Sequence, residues 1–414
     1  MALYGVFRDE NKIIFLDRIN WFTFVEFCKN ISETIDQRGY SKVILDFSRI
    51  SKAYPNGMVP IIAEIYLYLK RGCSFPVIPP RDTVLLSLFQ RNGWLYYLAP
   101  EQCKPPKVTG FTNLPLQKFN NDEELNDIVN RAVEVCLQQL VFAEGVPQAF
   151  EWALNEIAGN VLVHSETDLG WIQVVTYKES RHLALIVCDA GVGIPKSMSA
   201  LYQCKDDQEA LEMALRQGVT SKPNFGQGNG LAGSLAIAQH SKGTFALTSH
   251  NARIYVSEGK VEAGIFLPHY KGTCVEMQFS TDIQINLPTA LWGHQPVDYM
   301  EIKFEDDNGK LSFRLKDYAS SFGNRITGER IKNLVVNLLI QNHGKAVEIV
   351  MDDVSVISSS FADELFGKLF FEMGPVDFSR LISFKGLNSI CKSIIELAIY
   401  QRIAQNVTNV TPVK

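Results

Sequence analysis

The chain has 414 residues, 46% of them hydrophobic and 21% charged, and its 40 basic and 45 acidic side chains leave a net charge of −5. That length predicts two to four domains with real cores, and the acidic balance argues against a polyanion binder held by general electrostatics. No apolar run approaches the roughly eighteen residues of a membrane span, and the opening MALYGVFRDENK lacks the basic and apolar regions of a secretory signal.

From residue 1 to about 105, KIIFLD reads as a short strand and Trp21 to about Arg38 as a helix. KVILDF follows as a buried strand, Val59 to Lys70 as a second helix, FPVIPP as a strand and DTVLLSLFQRNGWLYYL as a third, amphipathic helix. Short apolar strands alternating with such helices predict a sheet with helices packed on it. CKPPKVTGFTNLP (Cys103 to Pro115) is rich in Pro, Gly and Thr and reads as a linker. A second block, about 116–285, holds nearly all the glycine-rich sequence. A third, about 298–414, follows the loop-like NLPTALWGHQP and again runs strand, helix, the buried strand AVEIVMDD and the helical SFADELFGKLFFEM. VILDFSRISKAYPNGMVPIIAEI and IVMDDVSVISSSFADELFGKL can be overlaid at the strand and turn, which points to a duplicated architecture. The eight cysteines are widely and irregularly spaced with no C-x-x-C pair, a pattern that suits a reducing cytoplasm rather than zinc or disulfides.

The chemistry concentrates in the middle block. Apolar spacing in AFEWALNEIAGNVLVHS predicts a helix from about Pro147 to Val163. Glu156, Asn160 and His164 recur every four residues and so stack along one face. An amide oxygen is a hard ligand for Mg²⁺, and a carboxylate one turn away can orient or deprotonate a water or hydroxyl; a solvated polar stripe is the alternative. HLALIVCDAGVGIP is a buried strand (Leu183 to Cys188) running into Asp189, with Gly191 and Gly193 allowing a sharp turn and close approach of a flat ligand. An aspartate there can accept from an exocyclic amine such as that of adenine, or merely cap the turn. Gly226, Gly228 and Gly230 alternate ahead of a helical run from Leu231 to Gln239, exposing backbone N–H groups at its positive end as an anion cradle. The spacing fits neither a P-loop nor a Rossmann fingerprint. A hairpin-rich stretch then leads to KGTCVEMQF, where Gly272-Thr273 opens a final strand.

In this order and spacing the pieces resemble the GHKL ATP-binding domain shared by histidine kinases, gyrase B, Hsp90 and MutL, over about 160 residues. The matching motifs are NEIAGNVLVH, DAGVGIP, GQGNGLAG and KGTCVEM. The resemblance implies an α/β multidomain protein whose central α/β sandwich, a mixed sheet with helices on one face, lies between two smaller STAS-like domains. Their implied bounds are 1–105, 116–285 and 298–414. It implies ATP and Mg²⁺ as ligands, with Glu156 as the catalytic carboxylate and Asn160 as the metal ligand. Asp189 would bind the adenine amine, with Gly191 and Gly193 shaping that wall. Gly226, Gly228, Gly230 and Leu231 would close over the phosphates, and Thr273 would lie near the adenine. Residues from about Lys196 to Phe225 would form the ATP lid, and its GVTSK end resembles that of several bacterial members. Lys222 is then the nearest fixed cation for the terminal phosphates, or a solvated loop lysine. His164 occupies a position that lies close to the phosphates in the family, or is a hydrogen-bonded helix-end histidine.

VEIVMDDVSVISSSFADELFGKL resembles the STAS fold of anti-sigma factor antagonists, with Ser359 and Ser360 where that family has a phosphorylatable helix-capping serine; such a serine also caps a helix without further function. Block one resembles a diverged copy with Pro55 and Asn56 at those positions. No histidine precedes His164, and the preceding block reads as α/β rather than as a dimerising helical hairpin. That disfavours a conventional sensor kinase. The expectations are a cytoplasmic ATP-driven regulatory switch with slow Mg-dependent hydrolysis, a protein-serine kinase acting on a STAS-domain serine, or a nucleotide-binding scaffold without catalysis. A protein partner through the STAS-like domains is implied, and a homodimer is among the arrangements relatives adopt. Nucleic acid is disfavoured by the acidic charge.

Overall fold

The computed structural model describes residues 5–101, 103–106, 114–167, 169–222, 228–294, 303–306 and 309–408, with the backbone alone at 266–269 and 405–408. The chain divides into two compact units, Met1–Val135 with Ala149–His294, and Cys136–Gln148 with Gln295–Lys414. Residues 107–113 of the expected linker lie outside the described residues. Blocks one and two, apart from Cys136–Gln148, thus share a single compact unit, which runs beyond residue 285 to His294.

In the first unit, β1 (Gly5–Asp9) forms a hairpin with β2 (Lys12–Ile19), and β2, β3 (Ile44–Ala53) and β4 (Val77–Ile78) run parallel. Parallel neighbours need crossovers, supplied by α1 (Trp21–Ser32) and α2 (Pro55–Lys70). Asn20 and Thr23 close a reciprocal capping box at the start of α1. α2 begins at Pro55, four residues before the expected start, because the fixed φ of proline suits a first helical turn whose N–H needs no partner. The single helix expected over 82–98 is broken into α3 (Thr83–Arg91) and α4 (Trp94–Leu98) at Gly93, whose φ of 74° is left-handed.

The second sheet of this unit comprises β5 (Leu114–Phe119), β6 (Gly170–Tyr177), β7 (His182–Asp189), β8 (Thr244–Ser257) and β9 (Lys260–Ser280), in the order β5-β6-β7-β9-β8. Every pairing is antiparallel, which corrects the expected mixed sheet. For β6-β7 and β8-β9 the short connections 178–181 and Glu258-Gly259 allow nothing else, and Glu258 and Gly259 have the positive φ (50° and 74°) that such a turn requires. α5 (Asp122–Gln139), α6 (Val146–His164) and α9 (Gly230–His240) connect its strands. Phe150 of α6 meets Phe279 of β9 edge-on, which sets that helix on one face.

The other face is not free, as helices on one face alone would leave it. Trp171 packs edge-to-face with Tyr66 of α2 and Tyr97 of α4, Tyr270 meets Phe24 of α1, and Trp94 Nε1 donates to Gln173 Oε1 at 2.9 Å. Leu116, Trp171, Ile186, Cys188, Tyr270 and Cys274 share one apolar core with the first sheet and its helices. Burial on both sides explains why β7 reads as a continuous apolar run rather than an alternating one. All eight cysteines are free thiols, and Cys188 and Cys274 lie opposite one another with sulfurs 2.9 Å apart.

In the second unit β10 (Leu311–Arg314), β11 (Val347–Val350) and β12 (Ile382–Lys385) are parallel neighbours. α11 (Arg325–Gln341) links the first two; α12 (Ser359–Ala362), a π-helical turn (Asp363–Gly367), α13 (Lys368–Met373) and α14 (Pro375–Leu381) link the next. α15 (Ser389–Thr408) closes the chain. The order strand–helix–strand–helix–strand repeats that of β2 to β4. Amides at helical spacing on α11 satisfy the loop that joins α5 to α6. Asn337 Nδ2 donates to the carbonyls of Leu137 and Leu140 at 2.9 and 2.8 Å, while its Oδ1 accepts from Phe142 N at 2.8 Å. Gln341 Oε1 accepts from Gly145 N at 2.9 Å.

Glu64 of α2 is buried, its Oε2 has no hydrogen-bond partner among the described residues, and burial raises its pKa from 4.5 to about 7 against the opposing pull of Lys271. Between those two values the unfolded chain ionises while the folded one keeps its proton, so stability falls as pH rises. Glu64→Gln removes that cost. Its melting temperature should match the wild type near pH 5 and exceed it at pH 8; a difference that does not grow with pH contradicts this assignment.

Candidate functional site

A single cleft of about 530 Å³ opens on the helical side of the five-stranded sheet, within the size range of small-molecule sites. Several separate stretches of chain line it, among them α6, the end of β7, the N-terminus of α9 and the middle of β9. Glu156, Asn160, His164, Asp189, Gly193, Gly228, Gly230, Leu231 and Thr273 all line it. Gly191 and Lys222 do not, and Gly226 lies outside the described residues, as do lid residues 223–225.

Strand alternation explains this sorting. On β7, Val187 and Asp189 face the cleft while Ile186 and Cys188 face the other core; on β9, Thr273 and Val275 face the cleft while Cys274 does not. Asp189 is 3% exposed, and burial raises its pKa from 3.8 to about 7 even though the backbone N–H groups of Gly191 and Thr273 favour its charged form. Gly191 N donates to its Oδ1 at 2.7 Å, and the Tyr270 hydroxyl donates to its carbonyl at 2.5 Å. A partly desolvated carboxylate with spare lone pairs suits a ligand that brings an N–H donor.

The glycines act through close approach. A Cβ on Gly191 would meet the Ser165 carbonyl oxygen at 2.1 Å, so this residue forms the back of the wall rather than its face. Gly193, at φ 78°, sits against the Lys271 carbonyl, and Gly228, at φ 73°, against the Val219 backbone. Gly272 is the tightest of the group, with its virtual Cβ 1.9 Å from the Asp189 carbonyl oxygen. Gly230 brings the start of α9 against Glu156 Oε2. The side chain of its N-cap residue, Asn229, does not cap that start; its Oδ1 accepts instead from Gly218 N at 3.1 Å.

Glu156 is partly buried, and burial raises its pKa, opposed only by His294. His164 Nδ1 lies 3.0 Å from Ser221 Oγ, which lies 2.7 Å from Ser197 Oγ, tying the end of α6 to the lid end and to α7 (Ile194–Met198). Burial, then Lys222, lowers the His164 pKa. Lys222 Nζ donates to the Val163 carbonyl near the end of α6. Among the described residues no group of three or more His, Cys, Asp or Glu could hold a metal. Asn160 and Glu156 fit a cation that takes its remaining ligands from water and phosphate, as Mg²⁺ commonly does.

Several cleft residues were not apparent in the sequence. Ser197 and Ser221 are short polar residues in an irregular segment, although GVTSK marked the place. Leu291, Trp292 and His294 come from the loop-like NLPTALWGHQP, whose Asn286 caps α10 (Leu287–Ala290) ahead of them. In the second unit the helix cap is Ser358, accepting from Phe361 N at 3.1 Å, rather than Ser359 or Ser360. Ser359 is exposed in the first turn, and Ser360 Oγ lies 3.0 Å from Ser358 Oγ.

Residues 327–390 match a STAS-like domain of unknown function (DUF4325). The match takes in α11, β11, both serines and β12. No curated protein matches the chain. Among solved structures, the mycobacterial sensor histidine kinase MprB aligns over 41% of this chain and 99% of its own, with 14% identity and a TM-score of 0.22, a likeness too slight to assign a fold. No helix among the described residues is long and apolar enough to cross a membrane.

Gly272→Ala should destabilise the protein by about 1–3 kcal/mol, since backbone rather than a flexible side chain must yield. Gly264→Ala, with nothing within 4 Å, should change stability far less. Chemical denaturation of both variants checks this; equal effects would contradict the packing described.

Proposed function

We propose that the first unit carries a GHKL-type site that binds Mg²⁺-ATP and hydrolyses it slowly, and that the nucleotide state regulates partner binding through the STAS-like domain. The supporting observation is the convergence of Glu156, Asn160, Asp189, Thr273 and the N-terminus of α9 on one cleft. In this reading Asp189 accepts from the adenine amine while the buried backbone around Gly191 and Gly272 excludes water from that end. The start of α9 holds phosphate oxygens with its backbone N–H groups and positive dipole. Asn160 offers its amide oxygen to the metal, which neutralises phosphate charge. Glu156, one turn earlier on the same face, orients the attacking water and takes its proton; the burial that raises its pKa makes it a better base. The lid and the His164–Ser221–Ser197 chain provide a segment whose order changes with the nucleotide.

One observation favours a second reading, a protein-serine kinase. Ser359 is an exposed hydroxyl on the first turn of a helix inside the STAS-like match. Glu156 would then take the proton of such a serine on another protein.

Labelled γ-phosphate separates the two: release as inorganic phosphate supports hydrolysis, transfer to protein supports the kinase. Glu156→Ala should abolish turnover while leaving nucleotide affinity within about threefold, and Asp189→Asn should weaken binding by about tenfold or more, the effect of one lost charge-assisted hydrogen bond. Wild-type turnover in the first variant, or unchanged affinity in the second, would overturn these roles.

A further inference from the structure

The backbone of Asp189 is held by one short stretch of β9. The Tyr270 hydroxyl donates to the Asp189 carbonyl at 2.5 Å. Two residues on, Gly272 lies so close that a Cβ there would stand 1.9 Å from the same oxygen. The paired register of β7 with β9 ends one residue earlier, at Cys188 opposite Cys274, so these contacts fix the strand end where the regular pairing stops. Gly191 and Gly193 follow directly, and glycines give a chain little stiffness of their own. Tyr270 is fully buried, with its ring edge-on to Phe24 of α1 at a centroid distance of 5.2 Å. A phenylalanine would fill that seat without the cost of taking a hydroxyl out of water, so what the tyrosine adds is the bond to Asp189. Tyr270 is not among the residues that line the cleft, and any effect it has on a ligand passes through Asp189.

We propose that Tyr270 is a positioning residue for the base-recognising carboxylate: its hydroxyl fixes the end of β7 and thereby sets the preference of the site for bases that carry an exocyclic amine. This rests on the nucleotide reading above and deepens it by naming what makes the adenine contact selective. A hydrogen bond of about 2.7–3.2 Å weakens steeply once its angle or length is lost. A small shift of the Asp189 backbone therefore removes recognition of the amine, while contacts to the purine ring, the ribose and the phosphates, made by other elements, persist.

The test is equilibrium binding to the full chain with Mg²⁺ of ATP and of purine riboside triphosphate, which differs from ATP only in lacking the exocyclic amine, by competition against a fluorescent nucleotide. Tyr270→Phe keeps the ring, so its melting temperature should stay within about 5 °C of the wild type. Its ATP affinity should fall by about fivefold, and its affinity for the amine-free nucleotide by less than about twofold. In an Asp189→Asn background the same substitution should alter ATP affinity by less than about twofold, because the two residues act as one unit. Unchanged ATP affinity in Tyr270→Phe, equal losses for the two nucleotides, or additive effects in the double variant overturn the proposal while leaving nucleotide binding intact. Wild-type protein that binds neither nucleotide, or binds both equally, overturns the role of Asp189 and this inference together.

Discussion

The five-stranded antiparallel sheet is buried on both faces, and the rest of the first unit follows from that constraint. Trp171, Ile186, Cys188, Tyr270 and Cys274 belong to the core shared with α1, α2 and α4. Their immediate neighbours Val187, Asp189, Thr273 and Val275 belong to the cleft. With a side-chain period of two, a register slip of one residue would send Asp189 into the aromatic core and Cys188 into the cleft. Burying Trp171 and Tyr270, at roughly 2–3 kcal/mol each, therefore also holds the position of the polar groups on the opposite face. Arg253 adds to this anchoring, stacking 3.9 Å over the Trp21 ring and pairing with the partly buried Glu276 at 3.2 Å.

The same packing carries costs that a protein selected for stability alone would avoid. Asp189 and Glu64 are carboxyls whose pKa values burial raises to about 7, and the buried Trp171 Nε1 and Gln173 Nε2 lack partners among the described residues. For Asp189 the cost has a use in the proposed site, because a desolvated acceptor discriminates strongly for a ligand that brings its own donor. For Glu64 no ligand is implied. Its burial sits between α2 and the sheet, where an apolar side chain would fit the surroundings better.

Much of the middle block was legible because glycine and aspartate do specific backbone work there. Asp189, Gly193, Gly228, Gly230 and Thr273 come together in the cleft, and the Glu156–Asn160–His164 stripe faces it, because helical spacing alone aligns residues four apart. Lys222 donates to the carbonyl of Val163, a partner fifty-nine residues away that no local pattern announces. The stretch from Leu287 to His294 reads as loop because Pro288 and Gly293 hide a capped helical turn. The all-antiparallel pairing and the covered second face could not be read from local pattern, for both depend on which strands meet across long sequence separations. The break at Gly93 and the early start of α2 at Pro55 were visible signals given too little weight against a continuous apolar period. In the second unit, the ladder of Asn337 and Gln341 reads as ordinary helix polarity until its partners, nearly two hundred residues away, are in place.

A structure of the full chain crystallised with Mg²⁺ and a non-hydrolysable ATP analogue bears most directly on the account. The adenine amine should lie within hydrogen-bonding distance of the Asp189 carboxylate, with the phosphates over the first turn of α9 and the metal on the Asn160 amide oxygen. An analogue bound elsewhere, or a cleft left empty at saturating analogue, would contradict it.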